Sequence, residues 1–220
     1  MIRFLPASLA LASLTLAALL ATPALADQPR IHPTDDVAVT YKVLDSTRAA
    51  GQGEPREVRM FWTDHGNMVR IDAGGPMGWA IINFARRQMT VVMAAQHRYI
   101  QMPLDPNRTP GLFSMPPDTV ATRAGRDTVA GQACTVWNVT SPKGKGTACI
   151  ASDGLLLSVK GHGSEVEEGH RVSGDGGLLA TSVTYGPQSA ALFAPPAGFQ
   201  ALSIPHMPPG PGGAPGSRQP

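Results

Sequence analysis

The fold is decided by residues 57–72, which read EVRMFWTDHGNMVRID. Both ends of this stretch are rich in β-branched, aromatic and Met residues, and Asp64, His65, Gly66 and Asn67 lie between them. Those four are residue types that a tight turn requires. The stretch therefore predicts a β-hairpin with strands at 57–63 and 68–72.

The alternation that begins upstream of this hairpin points to the same type of structure. Val37, Val39, Tyr41 and Val43 occupy every second position of residues 36–44, which predicts a strand with one buried face. Similar short runs follow along the chain, at 79–84, 89–93, 98–102, 133–140, 147–151, 155–160 and 178–185. Helix patterns are scarce, and Ala190–Phe193 is expected to form one turn. The fold class predicted is mainly β: an antiparallel, strongly curved sheet or incomplete β-barrel with few short helices.

The N-terminus has the features of a signal peptide. Arg3 supplies a positive charge, an apolar run extends from Phe4 to Leu20, and Ala24-Leu25-Ala26 is a small-residue cleavage site. A membrane anchor is the competing interpretation, and Thr22-Pro23 interrupts the run that an anchor needs. We expect residues 1–26 to be removed, which places the protein in the periplasm.

The remainder of the chain is expected to be one β-rich domain, 27–204, followed by a disordered Pro/Gly-rich tail, 205–220. No later segment is apolar enough to span a membrane, so the exported chain should be soluble. Residue 27 is Asp rather than Cys, which argues against a lipid anchor. The 18 basic residues nearly balance the 16 acidic ones, which gives no electrostatic reason to bind nucleic acid.

Cys134 and Cys149 predict a disulfide bond, because two cysteines in an exported protein pair most simply with each other. Buried free thiols and a metal pair are the alternatives. A loop at 142–146 would place Cys134 opposite residue 154. Therefore either the turn lies nearer Ser141-Pro142, or a bulge shifts the register, or the bond joins other strands.

Motifs for catalysis are absent from the sequence. It lacks the nucleophile elbow G-x-S-x-G and the zinc-protease motif H-E-x-x-H. His162, Glu165 and His170 are weak candidates for a metal site, and a solvated hairpin tip is the favoured interpretation of that segment. No cofactor is expected.

Four successive stretches carry a resemblance to a known family: Val58–Thr63, Gly66–Asp72, Trp79–Phe84 and Gln88–Val92. In order and content they resemble the outer-membrane lipoprotein carrier (LolA/LolB-like) superfamily, and Arg70 and Asp72 occupy the positions of its strand-borne Arg and acid. The resemblance implies an incomplete antiparallel β-barrel, closed by helices, around an apolar cavity that takes acyl chains. Ten residues are expected to line that cavity: Val39, Tyr41, Met60, Trp62, Val69, Ile71, Ile82, Phe84, Val91 and Met93.

The function expected from the sequence is the non-enzymatic binding of a lipid, a lipoprotein acyl chain or another hydrophobic ligand in the half-barrel. One alternative is an envelope structural or interaction protein that binds an envelope partner through a sheet edge or the C-terminal tail. Another is a metal binder or metal-dependent enzyme at the 162–170 loop.

Overall fold

The computed structural model describes residues 28–45, 57–74, 78–104, 113–115, 118–167 and 170–202. The expected signal peptide, the expected tail and most of the Pro-rich segment at 103–117 lie outside these ranges. The domain boundaries given above therefore stay predictions.

Twelve strands form within the described ranges. They are β1 (Val37–Asp45), β2 (Glu57–Thr63), β3 (Met68–Asp72), β4 (Trp79–Asn83), β5 (Gln88–Met93), β6 (Arg98–Pro103), β7 (Val120–Val129), β8 (Gln132–Ser141), β9 (Gly144–Ile150), β10 (Leu156–Glu167), β11 (His170–Tyr185) and β12 (Gln200–Leu202). Short 3₁₀ turns at Ala94–Gln96 and Ala190–Phe193 complete the described elements, and the second of these is the helical turn that the sequence predicted.

All twelve strands belong to one sheet, in the order β12-β6-β5-β4-β3-β2-β1-β11-β10-β9-β8-β7. Every pairing is antiparallel except that of β12 with β6. Four strand spacings separate β7 from β11, which is about 19 Å in a flat sheet. Cα atoms of these two strands nevertheless approach within 8 Å, so this end of the sheet is strongly curved. The predicted fold class, a mainly β, antiparallel and curved open sheet, is confirmed.

The strand register places all ten expected cavity residues on one face of the sheet. Val39 pairs with Met60, and Met60 pairs with Ile71. The next row joins Trp62, Val69 and Ile82 in the same way. We call the face that carries these residues the inner face, and the opposite one the outer face. Because side chains alternate along each strand, the hydrophobic residues of β1 to β5 meet on the inner face.

The inner face is covered by an extended segment, residues 28–34, which we call the strap, together with Phe113. Ile31 packs against the hydrophobic cluster of Ala121, Trp137, Ala148 and Ile150, and Pro33 is fully buried. The resemblance implied covering helices, and that expectation is wrong for the described part of the chain. Pro29 and Pro33 lie within four residues of each other, which disfavours a helix here.

Two further differences from the sequence expectations concern strands. β7 was not predicted, because its residues from Thr122 to Thr128 are all exposed and show no apolar alternation. β10 continues to Glu167 and β11 begins at His170, whereas a solvated hairpin tip had been expected for 162–170. That segment is rich in Gly, which normally marks a loop.

Candidate functional site

Eight of the ten expected cavity residues belong to a filled core rather than to the lining of a hollow. Trp62, Phe84 and Phe113 cluster with their ring centroids about 6 Å apart, and the His32 ring lies 4.4 Å from that of Phe84. The remaining space is about 10 Å³, which is room for a single water molecule. Its lining is Ile31, Tyr41, Met60, Trp62, Phe113, Leu156 and Leu178. Val91 and Met93 are half-buried and lie outside the packed clusters.

His32 fixes the strap on this core. Its Nε2 donates a hydrogen bond to the carbonyl oxygen of Phe113 at 3.0 Å, and its ring packs against the rings of both Trp62 and Phe84. Burial lowers the pKa of His32 below its usual value of 6.5. The imidazole is therefore held in its neutral form.

Hydrogen bonds from two turns hold the C-terminal end of the strap. The amide of Thr34 donates to the carbonyl of Asp153 at 3.0 Å, and the Thr34 carbonyl accepts from His65 Nδ1 at 3.0 Å. His65 belongs to the 64–67 turn that the sequence predicted between β2 and β3, and Asp153 to the turn before β10. The strap is thus tied to both halves of the sheet.

A groove of about 620 Å³ opens on the inner face above β8 to β11, beside the strap. Its floor consists of two cross-strand rows of glycines, Gly146–Gly161–Gly176 and Gly144–Gly163–Gly174. These rows continue a row of apolar side chains, Ala148–Val159–Leu178, in the same register. The apolar residues that line the groove include Pro29, Ile31, Met115, Val139, Ala148, Ile150, Leu156 and Val159.

The glycines leave space on the floor of the groove because no side chain rises from them. At Gly163 and Gly176 the nearest atoms to an added Cβ would lie 3.7 and 3.5 Å away, which is ordinary contact. At Gly161 the added Cβ would lie 2.7 Å from the carbonyl oxygen of Lys145, so backbone packing itself excludes a side chain.

Sequence reasoning missed this groove, although a signal for it exists. The motif Gly-x-Gly occurs at 144–146, 161–163 and 174–176, once in each of three consecutive strands. Glycines two residues apart in a strand lie on the same face. The intervening residues, Lys145, His162 and Asp175, then form a row on the outer face.

His162 occupies that outer row and contacts Asp175, with 3.0 Å between Nδ1 and Oδ1. Glu165 lies in β10 and His170 in β11. No group of three metal-ligating side chains occurs among the residues that the structure describes. The geometry around His162 is that of an exposed cross-strand pair.

Arg70 and Asp72, the pair carried over from the resemblance, lie on the outer face, away from the groove. Arg70 donates from Nε and Nη2 to the two carboxylate oxygens of Asp72, at 2.7 and 3.1 Å. Its guanidinium also lies 4.2 Å from the centre of the Trp79 ring, and Nη1 donates to the Leu192 carbonyl at 3.3 Å. Through Arg70, this pair therefore holds the 3₁₀ turn at Ala190–Phe193 against β3.

Cys134 and Cys149 form the predicted disulfide, with Cα atoms 5.5 Å apart. Ser141 pairs with Gly144, so the turn is Pro142-Lys143 and lies nearer Ser141 than a loop centred on Gly144. Cys149 consequently pairs with Val136, which lies two residues along β8 from Cys134, so the two cysteines are diagonal neighbours. Of the three alternatives left open by the sequence, the shifted turn is the one observed.

The sequence profile of a domain of unknown function, DUF4412, matches residues 61–172, just over half of the chain. The chain belongs to the DUF4412 family. The matched part extends from β2 to the start of β11 and includes the Gly-x-Gly motifs of β9 and β10. No match is found among curated proteins.

Solved structures of similar form share little sequence with this DUF4412 chain. The Pseudomonas aeruginosa MucA/MucB complex is 14% identical over 81% of this chain and 63% of that one, with a TM-score of 0.46. A DUF1329 family protein from Desulfovibrio piger is 10% identical over 74% and 90%, with a TM-score of 0.33. This chain therefore spans less than two thirds of the MucB chain.

A putative outer membrane lipoprotein-sorting protein domain from Vibrio parahaemolyticus is also similar, at 7% identity over 72% of this chain and 89% of that one. Its TM-score is 0.22. In the described ranges of the present chain, no helix has the length and hydropathy that crossing a membrane requires.

Proposed function

We propose that this protein is an exported, non-enzymatic binding protein that takes an acyl chain or similar apolar group on the inner face of its sheet. The observation that carries the proposal is the groove of about 620 Å³ beside the strap. Its volume falls within the range of roughly 300–1,000 Å³ that is typical of ligand sites.

The chemistry of the groove favours an apolar ligand. Its apolar lining consists of aliphatic side chains and Met115, its polar lining includes Ser141 and Lys143, and the backbone groups of its glycine floor already pair within the sheet ladder. Burying an apolar chain there removes hydrocarbon from water, without leaving backbone donors or acceptors unsatisfied.

The proposed compartment is the periplasm. The Cys134–Cys149 disulfide is the type of bond that persists in an oxidising compartment, and the N-terminal sequence has the pattern of a signal peptide. Edman sequencing of the protein isolated from a bacterial envelope tests this location. Asp27 is the expected first residue, and a chain that retains Met1 or its apolar run would contradict export by cleavage.

Native mass spectrometry of the exported protein tests the binding function. The wild-type chain is expected to carry a co-purifying lipid. Gly176→Leu fills the groove from a position where a Cβ is tolerated, and should therefore lose most of the bound lipid. Ser182→Leu is the matched control, because Ser182 is exposed on the outer face of the same strand. A wild-type protein without lipid, or equal lipid in both variants, would contradict the proposal.

A second candidate function is the capture of a protein segment at β7. This strand lies at the end of the sheet order, pairs with β8 alone, and leaves Val120 55% exposed. An edge of this kind can accept an added strand from a partner. Thr122→Pro, which disrupts such pairing, should abolish partner capture from envelope extracts and leave lipid binding intact; unchanged capture would exclude β7 as the interface.

A further inference from the structure

The strap forms a wall of the groove and also carries His32. Pro29 and Ile31 line the groove, whereas the next residue, His32, packs against the rings of Trp62 and Phe84. One short extended segment therefore contacts both the ligand site and the aromatic core. The position of this wall consequently depends on how firmly the His32 ring is held.

Hydrogen bonds hold the strap at its C-terminal end and in its middle. At the end, the amide of Thr34 donates to the carbonyl of Asp153 at 3.0 Å. In the middle, Pro33 has no backbone N–H to donate, and the side chain of His32 supplies the bond to the carbonyl of Phe113. Loss of the His32 contact would leave the stretch before Thr34 without its hydrogen bond to the core.

The surroundings of the His32 ring favour a neutral imidazole. The rings that pack on it, those of Trp62 and Phe84, carry no charge. Burial has the largest effect on the pKa of His32 and lowers it, although the backbone hydrogen bonds at Phe113 and Gly66 act in the opposite direction. Protonation would place a cation among apolar rings, which favours release of the ring into water.

The charged groups near the strap do not compensate a charge on this ring. Arg30 and His65 line the same open pocket of about 400 Å³ as the ring, and both are basic. Among the described residues that line this pocket there is no carboxylate. Asp35 and Asp64, the nearest acids along the strap and along the neighbouring turn, are exposed to solvent. The Asp153 carboxylate accepts from the amide two residues farther along its own turn, at 3.0 Å.

We infer that the strap is a pH-controlled wall of the ligand groove: protonation of His32 releases the strap, and the groove then loses affinity for its apolar ligand. This inference rests on the proposed function, because it assigns a regulation to the same groove. Ligand and proton oppose each other, since the ligand favours the docked strap with its neutral ring and the proton favours the released strap. The groove should therefore hold its ligand at neutral pH and release it in acid.

Isothermal titration of the full exported chain, after removal of co-purified lipid, measures this effect with dodecanol, an apolar chain that has no titratable group. Binding by the wild-type chain is expected to weaken about tenfold between pH 7 and pH 5, because the fraction of chains with a docked strap falls. His32→Gln, which keeps a hydrogen-bond donor and does not titrate, should change by less than about twofold. His97→Gln, at an exposed position outside the strap, is the matched control and should behave as the wild type does.

Hydrogen exchange followed by NMR reports release of the strap without any ligand. The protection factor of the Thr34 amide is expected to fall about tenfold over the same pH range in the wild-type chain. The Gln200 amide, which donates to the His97 carbonyl at 3.0 Å, should keep its protection. This measurement also shows whether His32→Gln keeps the strap docked at pH 7; if it does not, the wild-type results decide.

The outcomes separate this inference from the proposed function. Equal dodecanol affinities at pH 7 and pH 5, or a Thr34 protection factor that stays constant, would overturn the pH control and preserve the groove as a ligand site. An equal loss of affinity in the wild-type and His32→Gln chains would assign the effect to other groups and overturn it as well. Absence of dodecanol binding at pH 7 would overturn the proposed function, and this inference with it.

Discussion

Tyr41 shows how a single side chain joins distant strands of the sheet. It is 2% exposed, and its hydroxyl donates to the carbonyl oxygen of Leu156 at 2.7 Å, reaching from β1 across β11 to β10. Ala180, its partner on β11, is small enough to let the ring pass. The pKa of Tyr41 is raised, mainly because its hydroxyl is buried.

Replacing Tyr41 with Phe leaves the Leu156 carbonyl without its donor. The expected loss in the free energy of unfolding is about 1–2 kcal/mol, measured by urea denaturation. Tyr99→Phe, at a half-buried position on β6, is the control and should cost less than about 0.5 kcal/mol. Equal losses in the two variants would show that the bond to Leu156 contributes no stability.

His32 makes the stability of the fold depend on pH. Burial lowers its pKa, so the folded chain keeps the ring neutral while the unfolded chain takes up a proton below pH 6.5. The stability that this ring contributes is therefore present above pH 6.5 and is lost as the pH falls toward the lowered pKa.

The His32→Gln variant keeps a donor for the Phe113 carbonyl and removes the titration. Its free energy of unfolding should fall less between pH 7 and pH 5 than that of the wild type, by denaturation at each pH. His97→Gln, at an exposed position, should behave as the wild type does. A His32→Gln variant that loses as much stability as the wild type over this range would assign the acid sensitivity to other groups.

At the scale of elements, the glycine rows of β9, β10 and β11 decide what the inner face can hold. An added Cβ at Gly161 would meet the neighbouring backbone, whereas Gly176 has room for a side chain. Gly161 and Gly176 pair directly across β10 and β11, so the two positions differ mainly in the space that is available to an added side chain.

Alanine substitutions distinguish these two roles. Gly161→Ala should destabilise the fold by about 1–3 kcal/mol, because the added Cβ meets the Lys145 carbonyl. Gly176→Ala should be neutral, or stabilising by about 0.5–1 kcal/mol, because glycine weakens a strand. Thermal denaturation of both variants measures the difference, and an equal effect at the two sites would contradict the packing described for Gly161.

The elements that were predictable from sequence are those in which side chains alternate within a single run. Val37 to Val43 and the hairpin at 57–72 were found because period 2 and turn chemistry are local. β10 and β11 were cut short because glycine marks loops, and only the cross-strand register with β9 shows that Gly161 and Gly163 are strand residues.

The filled core was not predictable for a related reason. Alternation shows which side chains share a face, and the ten expected cavity residues do share one. The alternation does not show which other parts of the chain pack against that face. The covering groups, His32 and Phe113, come from segments 81 residues apart, and their hydrogen bond is visible only in the folded chain.

At the scale of the whole molecule, the sheet has two regions on its inner face. The region over β1 to β5 is packed against the strap and Phe113 and provides the stability of a hydrophobic core. The region over β8 to β11 carries the glycine floor and remains open. Binding is therefore expected without opening the core, and the strap serves as a wall common to both regions.

The most direct test of this account locates the acyl chain on the protein. Intermolecular NOEs between palmitate and the isotope-labelled exported chain report which protons lie within a few ångströms of the acyl methylenes. The account predicts NOEs to the Hα protons of Gly161, Gly163 and Gly176 and to the side chain of Val139. NOEs to Val39, Met60 and Ile71 with none to the glycines, or no saturable contact at all, would contradict it.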